Sequence, residues 1–139
     1  MPVELSQLMQ LALGKPPALQ VGDLPRPVAE HLGCHPAIVW LGTAELGKIV
    51  RKHGDQIKVE NLQCLPYAIS DGVYYKDQNR PNCVTVYYRD KYTNLQYVIG
   101  LKPANRGGEV WIQTFYRIDD RKAARRQVQA RILYVRKNR

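Results

Sequence analysis

The sequence has few of the features that mark secreted, metal-binding or membrane proteins. Its three cysteines, Cys34, Cys64 and Cys83, are too few and too scattered for a disulfide framework or a zinc cluster, which fits a reducing compartment. No apolar run approaches the roughly 18 residues that a membrane span needs. The N-terminus lacks the basic start and continuous apolar core of a signal peptide. These absences predict a cytoplasmic protein that does not interact with a membrane.

Nucleotide-binding motifs and metal-ligand clusters are missing as well. The sequence contains no phosphate-loop and no dinucleotide fingerprint. His31, Cys34 and His35 lie close together, but no further ligand group is spaced to complete a metal site with them. We therefore predict no cofactor, and we expect any enzymatic activity to be independent of metal ions.

The chain has an excess of basic residues and a hydrophobic content typical of a folded domain. Its 139 residues include 21 Lys or Arg and 12 Asp or Glu, which gives a formal net charge of +9, and 45% of the residues are hydrophobic. This hydrophobic share excludes a disordered basic tail and allows a folded domain with a core. A domain at +9 indicates a polyanionic partner, with nucleic acid favoured over an anionic membrane or an acidic protein.

The first half of the chain is predicted to be mainly helical. Short helices are expected over residues 1–13, 27–32 and 59–65, the last one ending before Pro66. An apolar run over residues 37–41 is typical of a buried strand. The helices that precede this strand predict an N-terminal helical extension over residues 1–36.

The clearest helix runs from a capping residue at Thr43 to a stop at Gly54. Its apolar stripe includes Ile49 and continues to His53 at the C-terminal end.

The second half is predicted to be a β-meander followed by a basic segment. Four segments rich in Val, Ile, Tyr and Trp are separated by short turn signals. These segments are 72–76, 84–89, 96–102 and 110–118. The order predicts an α+β fold in which helices precede and pack on a four-stranded antiparallel sheet. A basic segment over 119–139, helical or frayed at 120–129, adds a possible fifth strand at 131–135, and the central α+β domain spans 37–118.

Lys48, Lys52 and His53 lie near the C-terminal end of the predicted helix at 43–54. Histidine is the natural general acid or base at neutral pH, and lysines one turn apart could bind a phosphate. The alternative is a structural histidine that binds the last helical carbonyls beside a solvated basic face, and the spacing alone favours this alternative.

Thr114, Tyr116 and Arg117 lie in the last strand of the predicted meander. Side-chain alternation places Thr114 and Tyr116 on the same face as Ile112. The two hydroxyl groups can bind a phosphate, and the arginine can clamp it. The same residue types are also good strand formers, so a structural role is equally compatible with the pattern.

Basic residues interleaved with tyrosines form a second group of candidates. Tyr75, Tyr88 and Arg89 could stack on bases and bind the nucleic-acid backbone, and Arg106 and Arg121 could bind phosphates. Each has a structural alternative as well: ordinary sheet tyrosines, a hairpin turn at residues 106–108, or a solvated charged face.

Short motifs follow one another in a familiar order between residues 37 and 118, after a strand and a helix that ends in Lys52-His53. They are Leu62-x-x-Leu65-Pro66, Asp71-Gly72, Tyr97-Val98-x-x-Leu101-Lys102, Gly108-Glu109 and Thr114-Phe115-Tyr116-Arg117. This order resembles the phage-associated branch of the barnase, EndoU, colicin and RelE-like (BECR) nucleases.

The resemblance implies an α+β fold with a four-stranded antiparallel sheet and a toxin-type ribonuclease activity. It implies a catalytic His53, with Thr114 and Tyr116 as the last-strand pair and Arg117 beside them. Lys52 joins them as a catalytic candidate, and Lys48 as a substrate-binding one. The implied substrate is RNA, with tRNA among the candidates.

The residues leave three functions open. In a nuclease, the 2′-OH of RNA would attack the adjacent phosphorus to give a 2′,3′-cyclic phosphate, with His53 as acid or base and Tyr116 as a proton donor. A non-catalytic nucleic-acid-binding protein would use the same charge without His53. A phage or mobile-element interaction protein would meet an acidic immunity or antitoxin protein. The nuclease predicts that His53, Thr114 and Tyr116 converge in one basic cleft.

Overall fold

A computed structural model describes residues 3–34, 37–77, 79–80, 82–104 and 109–136. Within these ranges the chain forms five α-helices, one 3₁₀ helix and seven β-strands. The helices are α1 (Leu5–Ala12), α2 (Arg26–Leu32), α3 (Thr43–His53), α4 (Leu65–Asp71) and α5 (Asp120–Gln129), with the 3₁₀ helix at Val59–Cys64. The strands are β1 (Ala18–Asp23), β2 (Ile38–Gly42), β3 (Val73–Lys76), β4 (Val84–Arg89), β5 (Gln96–Pro103), β6 (Glu109–Arg117) and β7 (Ile132–Tyr134).

The strands of the described residues form one mixed sheet in the order β1-β2-β6-β5-β4-β3-β7. Strands β3 to β6 make the predicted antiparallel meander. On one side β2 pairs in parallel with β6 and β1 pairs with β2, and on the other side β7 pairs with β3. The α+β class is therefore confirmed. The four- or five-stranded, fully antiparallel sheet is wrong, because two N-terminal strands extend the meander and one of them is parallel.

Strand β1 lies in the segment that was predicted to be a helical extension, where no strand was expected. Only Val21 of this strand is fully buried, and the sequence therefore shows little alternation. Leu8 of α1 and Val21 belong to the same core as the meander. Thr43 ties the segment to α3, since its hydroxyl donates a hydrogen bond to the carbonyl of Leu11 at 2.7 Å. Gly42, rather than Thr43, occupies the N-cap position.

Pro66 begins a helix where it was predicted to end one. The 3₁₀ helix at Val59–Cys64 leads directly into α4, and the proline stands in the first turn of α4. Backbone N–H groups in the first turn of a helix have no intrahelical partner, so a proline there removes no hydrogen bond.

The two faces of the sheet are covered unequally. Helices α1 to α4 pack on one face and enclose the main core. On the other face, α5 covers a smaller second core made of Tyr75, Tyr87, Val98, Ile118 and Ala123. The basic segment predicted after residue 118 therefore forms an ordered helix and an edge strand in its described part. None of the helices in the described ranges is long and apolar enough to span a membrane.

Candidate functional site

His53 ends α3 and lies against the last strand of the meander. Leu46 and Ile49 bury one side of α3 in the main core, and the helix packs against β6. At the end of the helix the His53 imidazole stacks on the ring of Tyr116, with the ring centroids 5.4 Å apart and the planes inclined by 28°. The α3–β6 contact therefore brings together two of the predicted site residues.

A β-bulge interrupts β6 at Gln113. In the pairing of β5 with β6, Leu101 faces Ile112 and Gly100 faces Thr114, so Gln113 is left without a partner on β5. A bulge bends a strand and re-aims the side chains that follow it. In this strand the side chains that follow are the predicted phosphate-binding residues.

The bulge shifts the alternation of side chains along β6. Ile112 and Phe115 both lie in the main core although they are separated by two residues. Tyr116 packs against the second core on the opposite face, and Thr114 lies on that face as well. The prediction that Thr114 and Tyr116 share the face of Ile112 was wrong, because alternation assumes a strand without an extra residue.

Two clefts meet beside His53. The first has a volume of about 530 Å³ and is lined by Ile49, Trp111 and Phe115 among others; we call it the apolar cleft. The second has a volume of about 890 Å³, and we call it the basic cleft because its lining includes Lys52, Arg117, Lys122 and Arg126. The residues that line both clefts are Lys52, His53 and Thr114.

All of the predicted catalytic residues line the basic cleft: Lys52, His53, Thr114, Tyr116 and Arg117. Lys52, Arg117 and Lys122 form no ion pair within the described part of the chain. Their charges are therefore available to an anion in the cleft. Asp119 and Asp120 also line it, but Asp119 caps α5 by accepting a hydrogen bond from the Lys122 backbone N–H at 2.8 Å.

The environment of His53 favours its neutral form. Partial burial lowers the pKa of the imidazole from its ordinary value of 6.5, and the adjacent Lys52 ammonium lowers it further. The imidazole is therefore mainly uncharged at neutral pH. An uncharged imidazole has a ring nitrogen that can accept a proton.

Tyr116 is held by a residue that the sequence analysis did not single out. The Arg126 guanidinium, on α5, donates a hydrogen bond from Nη1 to the Tyr116 hydroxyl oxygen at 2.8 Å. Because the phenol oxygen accepts this bond, its own hydrogen remains free to be donated elsewhere. The signal in the sequence was weak: Arg126 follows the buried Ala123 by three residues, which places it on the same side of the helix.

Tyr75 and Tyr88, predicted to stack on bases, have no free ring face. Tyr75 is 5% exposed and lies in the second core, where its hydroxyl accepts a hydrogen bond from Gln127 Nε2 at 3.1 Å. Tyr88 lies in the main core, and burial is the chief cause that raises its pKa to about 12. Both predictions of a stacking role are corrected, because helices cover both faces of β3 and β4.

The predicted phosphate-binding cations differ in their availability. Lys48 lines the apolar cleft but lies 3.7 Å from Glu45 in an ion pair. Arg89 is committed to the fold, since it forms an ion pair with Asp120 at 2.6 Å and also binds the Asn94 carbonyl at 2.9 Å. These contacts weigh against the predicted substrate contact for Arg89.

The remaining two predicted cations lie away from both clefts or outside the described residues. Arg121 is exposed on α5 and lines neither cleft. Arg106 lies outside the described residues, and so does His35. Among the residues that the structure describes, no group of three His, Cys, Asp or Glu side chains could hold a metal ion.

Comparison with known proteins gives no assignment. No protein-family model matches the chain, and neither a curated protein nor a solved structure is significantly similar to it.

Proposed function

We propose that this protein is a metal-independent endoribonuclease that cleaves RNA through attack by the 2′-OH group. The observation that carries the proposal is the stack of His53 on Tyr116 within the basic cleft. The His53 imidazole can accept a proton, and the adjacent Tyr116 hydroxyl can donate one. Both lie among cations that have no ion-pair partner in the described part of the chain. This is the set of groups that transfer of a phosphoryl group to an internal hydroxyl requires.

The two clefts offer RNA a path through the site. The scissile phosphate is placed at their junction, beside Lys52, His53 and Thr114. One nucleoside then occupies the apolar cleft near Trp111, and the chain continues through the basic cleft. The volume of about 530 Å³ for the apolar cleft lies within the ordinary range for small-molecule sites.

The mechanism uses the residues of the chain in defined roles. The neutral His53 imidazole takes the proton of the 2′-OH, and the 2′ oxygen attacks the adjacent phosphorus. Lys52 and Arg117 stabilise the negative charge that develops on the phosphorane, while the Thr114 hydroxyl orients a phosphate oxygen. The P–O5′ bond breaks as Tyr116 gives its proton to the leaving oxygen. The products are a 2′,3′-cyclic phosphate and a 5′-OH.

The resemblance of residues 37–118 to BECR nucleases supports the same reaction and adds a biological context. We propose a toxin-like role in which the target is cellular RNA, with tRNA as one candidate. The net charge of +9 and the open basic cleft make an acidic immunity or antitoxin protein a suitable inhibitor.

Incubation of the purified protein with total RNA in EDTA is expected to give discrete fragments. EDTA removes contaminating divalent ions, so cleavage under these conditions would be independent of metal. Each upstream fragment should carry a 2′,3′-cyclic phosphate and each downstream fragment a 5′-OH, as read by end-specific ligation and mass spectrometry.

The matched control is an oligonucleotide with a single 2′-deoxynucleotide at the cleaved position. It should stay intact, because it lacks the internal nucleophile. Cleavage of this control would exclude the mechanism. Intact RNA with the wild-type protein would favour the non-catalytic nucleic-acid-binding or interaction protein instead.

Replacement of Gly100 by alanine tests the placement of the Thr114 hydroxyl. A Cβ atom at Gly100 would lie 2.6 Å from Thr114 Oγ1, so the hydroxyl must move away. A hydrogen bond to a charged group contributes about 1.5–3 kcal/mol, so Gly100→Ala should slow cleavage by roughly 10- to 100-fold. Thr114→Val, which removes the hydroxyl, should give a loss of the same size.

Gly47→Ala is the control for this pair of variants. An added Cβ at Gly47 meets no atom within 4 Å, and the residue is exposed on α3. Its cleavage rate should match that of the wild type, with the helix stabilised by about 0.5–1 kcal/mol. Full activity of Gly100→Ala would remove Thr114 from the mechanism.

A further inference from the structure

Helix α5 is fixed to the sheet at several points along its length. Asp119 caps its first turn, and Asp120 forms the ion pair with Arg89 of β4 at 2.6 Å. Ala123 is 1% exposed in the second core. Near the C-terminal end, Gln127 binds the Tyr75 hydroxyl at 3.1 Å. These contacts give α5 a defined position above β3, β4 and β5, so the helix is not a loose basic tail.

Arg126 is the residue that α5 places against the candidate acid. It donates a hydrogen bond to the Tyr116 hydroxyl at 2.8 Å, and its neighbour Gln127 donates one to the Tyr75 hydroxyl at 3.1 Å. The Arg126 guanidinium also acts on the Tyr87 phenol: burial is the largest cause that raises the pKa of Tyr87, and Arg126 lowers it. One guanidinium therefore lies among tyrosine hydroxyls at the edge of the basic cleft.

We infer that Arg126 is a positioning residue for proton donation by Tyr116, so that α5 completes the catalytic site rather than guiding RNA toward it. This inference rests on the proposed ribonuclease function. The hydrogen bond from Arg126 fixes the direction of the phenol hydrogen toward the cleft. Its positive charge stabilises the phenolate that forms when the proton leaves.

The step balances in atoms and charge. As the P–O5′ bond breaks, its electron pair goes to the 5′ oxygen, which takes the proton of the Tyr116 hydroxyl. Tyr116 is left as a phenolate beside the Arg126 guanidinium. Water then returns a proton to the phenolate, and His53 gives up the proton that it took from the 2′-OH.

The test compares two RNA substrates that differ at one atom. The first is an ordinary oligonucleotide, and the second carries sulfur in place of the bridging 5′ oxygen at the cleaved bond. A thiol has a pKa of about 8.5, so a thiolate can leave without being protonated. A defect in proton donation therefore disappears with the sulfur substrate, whereas a defect in folding or in RNA binding does not.

Arg126→Gln is expected to slow the single-turnover cleavage of ordinary RNA by about 10- to 100-fold, the usual effect of a lost charge-assisted hydrogen bond. It should cleave the sulfur substrate within about threefold of the wild-type rate, and Tyr116→Phe should behave in the same way. RNA affinity, measured with a non-cleavable 2′-deoxy analogue, should change little. Arg125→Gln, which alters an exposed neighbour that lines neither cleft, should match the wild type on both substrates.

Three outcomes would overturn the inference. The first is full activity of Arg126→Gln on ordinary RNA, and the second is a defect that persists with the sulfur substrate while the melting temperature is unchanged. Both would leave the proposed ribonuclease intact, since the wild type still cleaves RNA. Failure of the wild type to cleave either substrate is the third, and it would overturn the proposed function as well.

Discussion

Replacement of His53 by alanine is expected to slow RNA cleavage by about 10²–10⁴-fold, the usual contribution of one proton-transfer group. His53 lies at the junction of the two clefts and stacks on Tyr116, so it is the candidate group best placed to take the 2′-OH proton. The side chain is only partly buried, and the variant should therefore keep the wild-type fold. Single-turnover cleavage and the circular dichroism spectrum measure the two expectations.

His31→Ala is the matched control, because this histidine is exposed at the end of α2 and lines neither cleft. Its cleavage rate should equal that of the wild type. If the His53 variant cleaved as fast as this control, His53 would have no part in the reaction.

The pH dependence gives an independent reading of His53. A general base must be neutral, so the rate should fall as the pH drops through the pKa of the imidazole. Burial and then Lys52 lower this pKa from 6.5, so the acid limb of the rate profile should lie below pH 6.5. Lys52→Gln removes one of the two causes, and the limb should move upward toward pH 6.5. A limb above pH 7 in the wild type would contradict the assignment.

Replacement of Phe115 by alanine is expected to lower the free energy of unfolding by about 3–5 kcal/mol. Phe115 is fully buried in the main core, and its ring stacks on Tyr97 with the centroids 4.9 Å apart. A small domain has a total stability of only about 5–15 kcal/mol, so this loss would leave a marginal protein. Urea denaturation measures the change.

The functional interest of this variant lies in its neighbours. Phe115 stands between Thr114 and Tyr116 on β6, and its burial anchors the strand that presents them to the cleft. Val128→Ala, at a residue that is 85% exposed, should change stability by less than about 0.5 kcal/mol. A loss below 1 kcal/mol for Phe115→Ala would contradict tight packing of this ring in the main core.

The parts of the fold that sequence analysis predicted are those with local signals. Apolar spacing and the stop at Gly54 identified α3, and turn residues separated the strands of the meander. The pairing of β2 with β6 has no such signal, because a parallel pair is joined by a long connection and not by a turn. Strand β1 was missed because an edge strand with one fully buried residue has almost no alternation.

The candidate site shows the same division. Residue type and position made His53, Thr114 and Tyr116 candidates, and the resemblance to BECR nucleases selected them. The structure places all three along one cleft. The tyrosines on β3 and β4 were misassigned, since sequence does not tell a tyrosine that a helix will cover from one that faces solvent. Arg126 was not distinguished from its basic neighbours, because its partner lies on another element and the contact depends on how α5 docks.

The docking of α5 also has a consequence for the order in which the site is made. The helix follows β6 in the chain and precedes β7, which pairs with β3 at one edge of the sheet. A domain generally folds as a unit, so its last elements must be synthesised before the unit is complete. A nascent chain that ends after β6 contains His53 and Tyr116 but lacks Arg126 and the edge strand β7. Under the proposed ribonuclease function, the groups around Tyr116 are therefore complete only after α5 has been synthesised and has docked on the sheet.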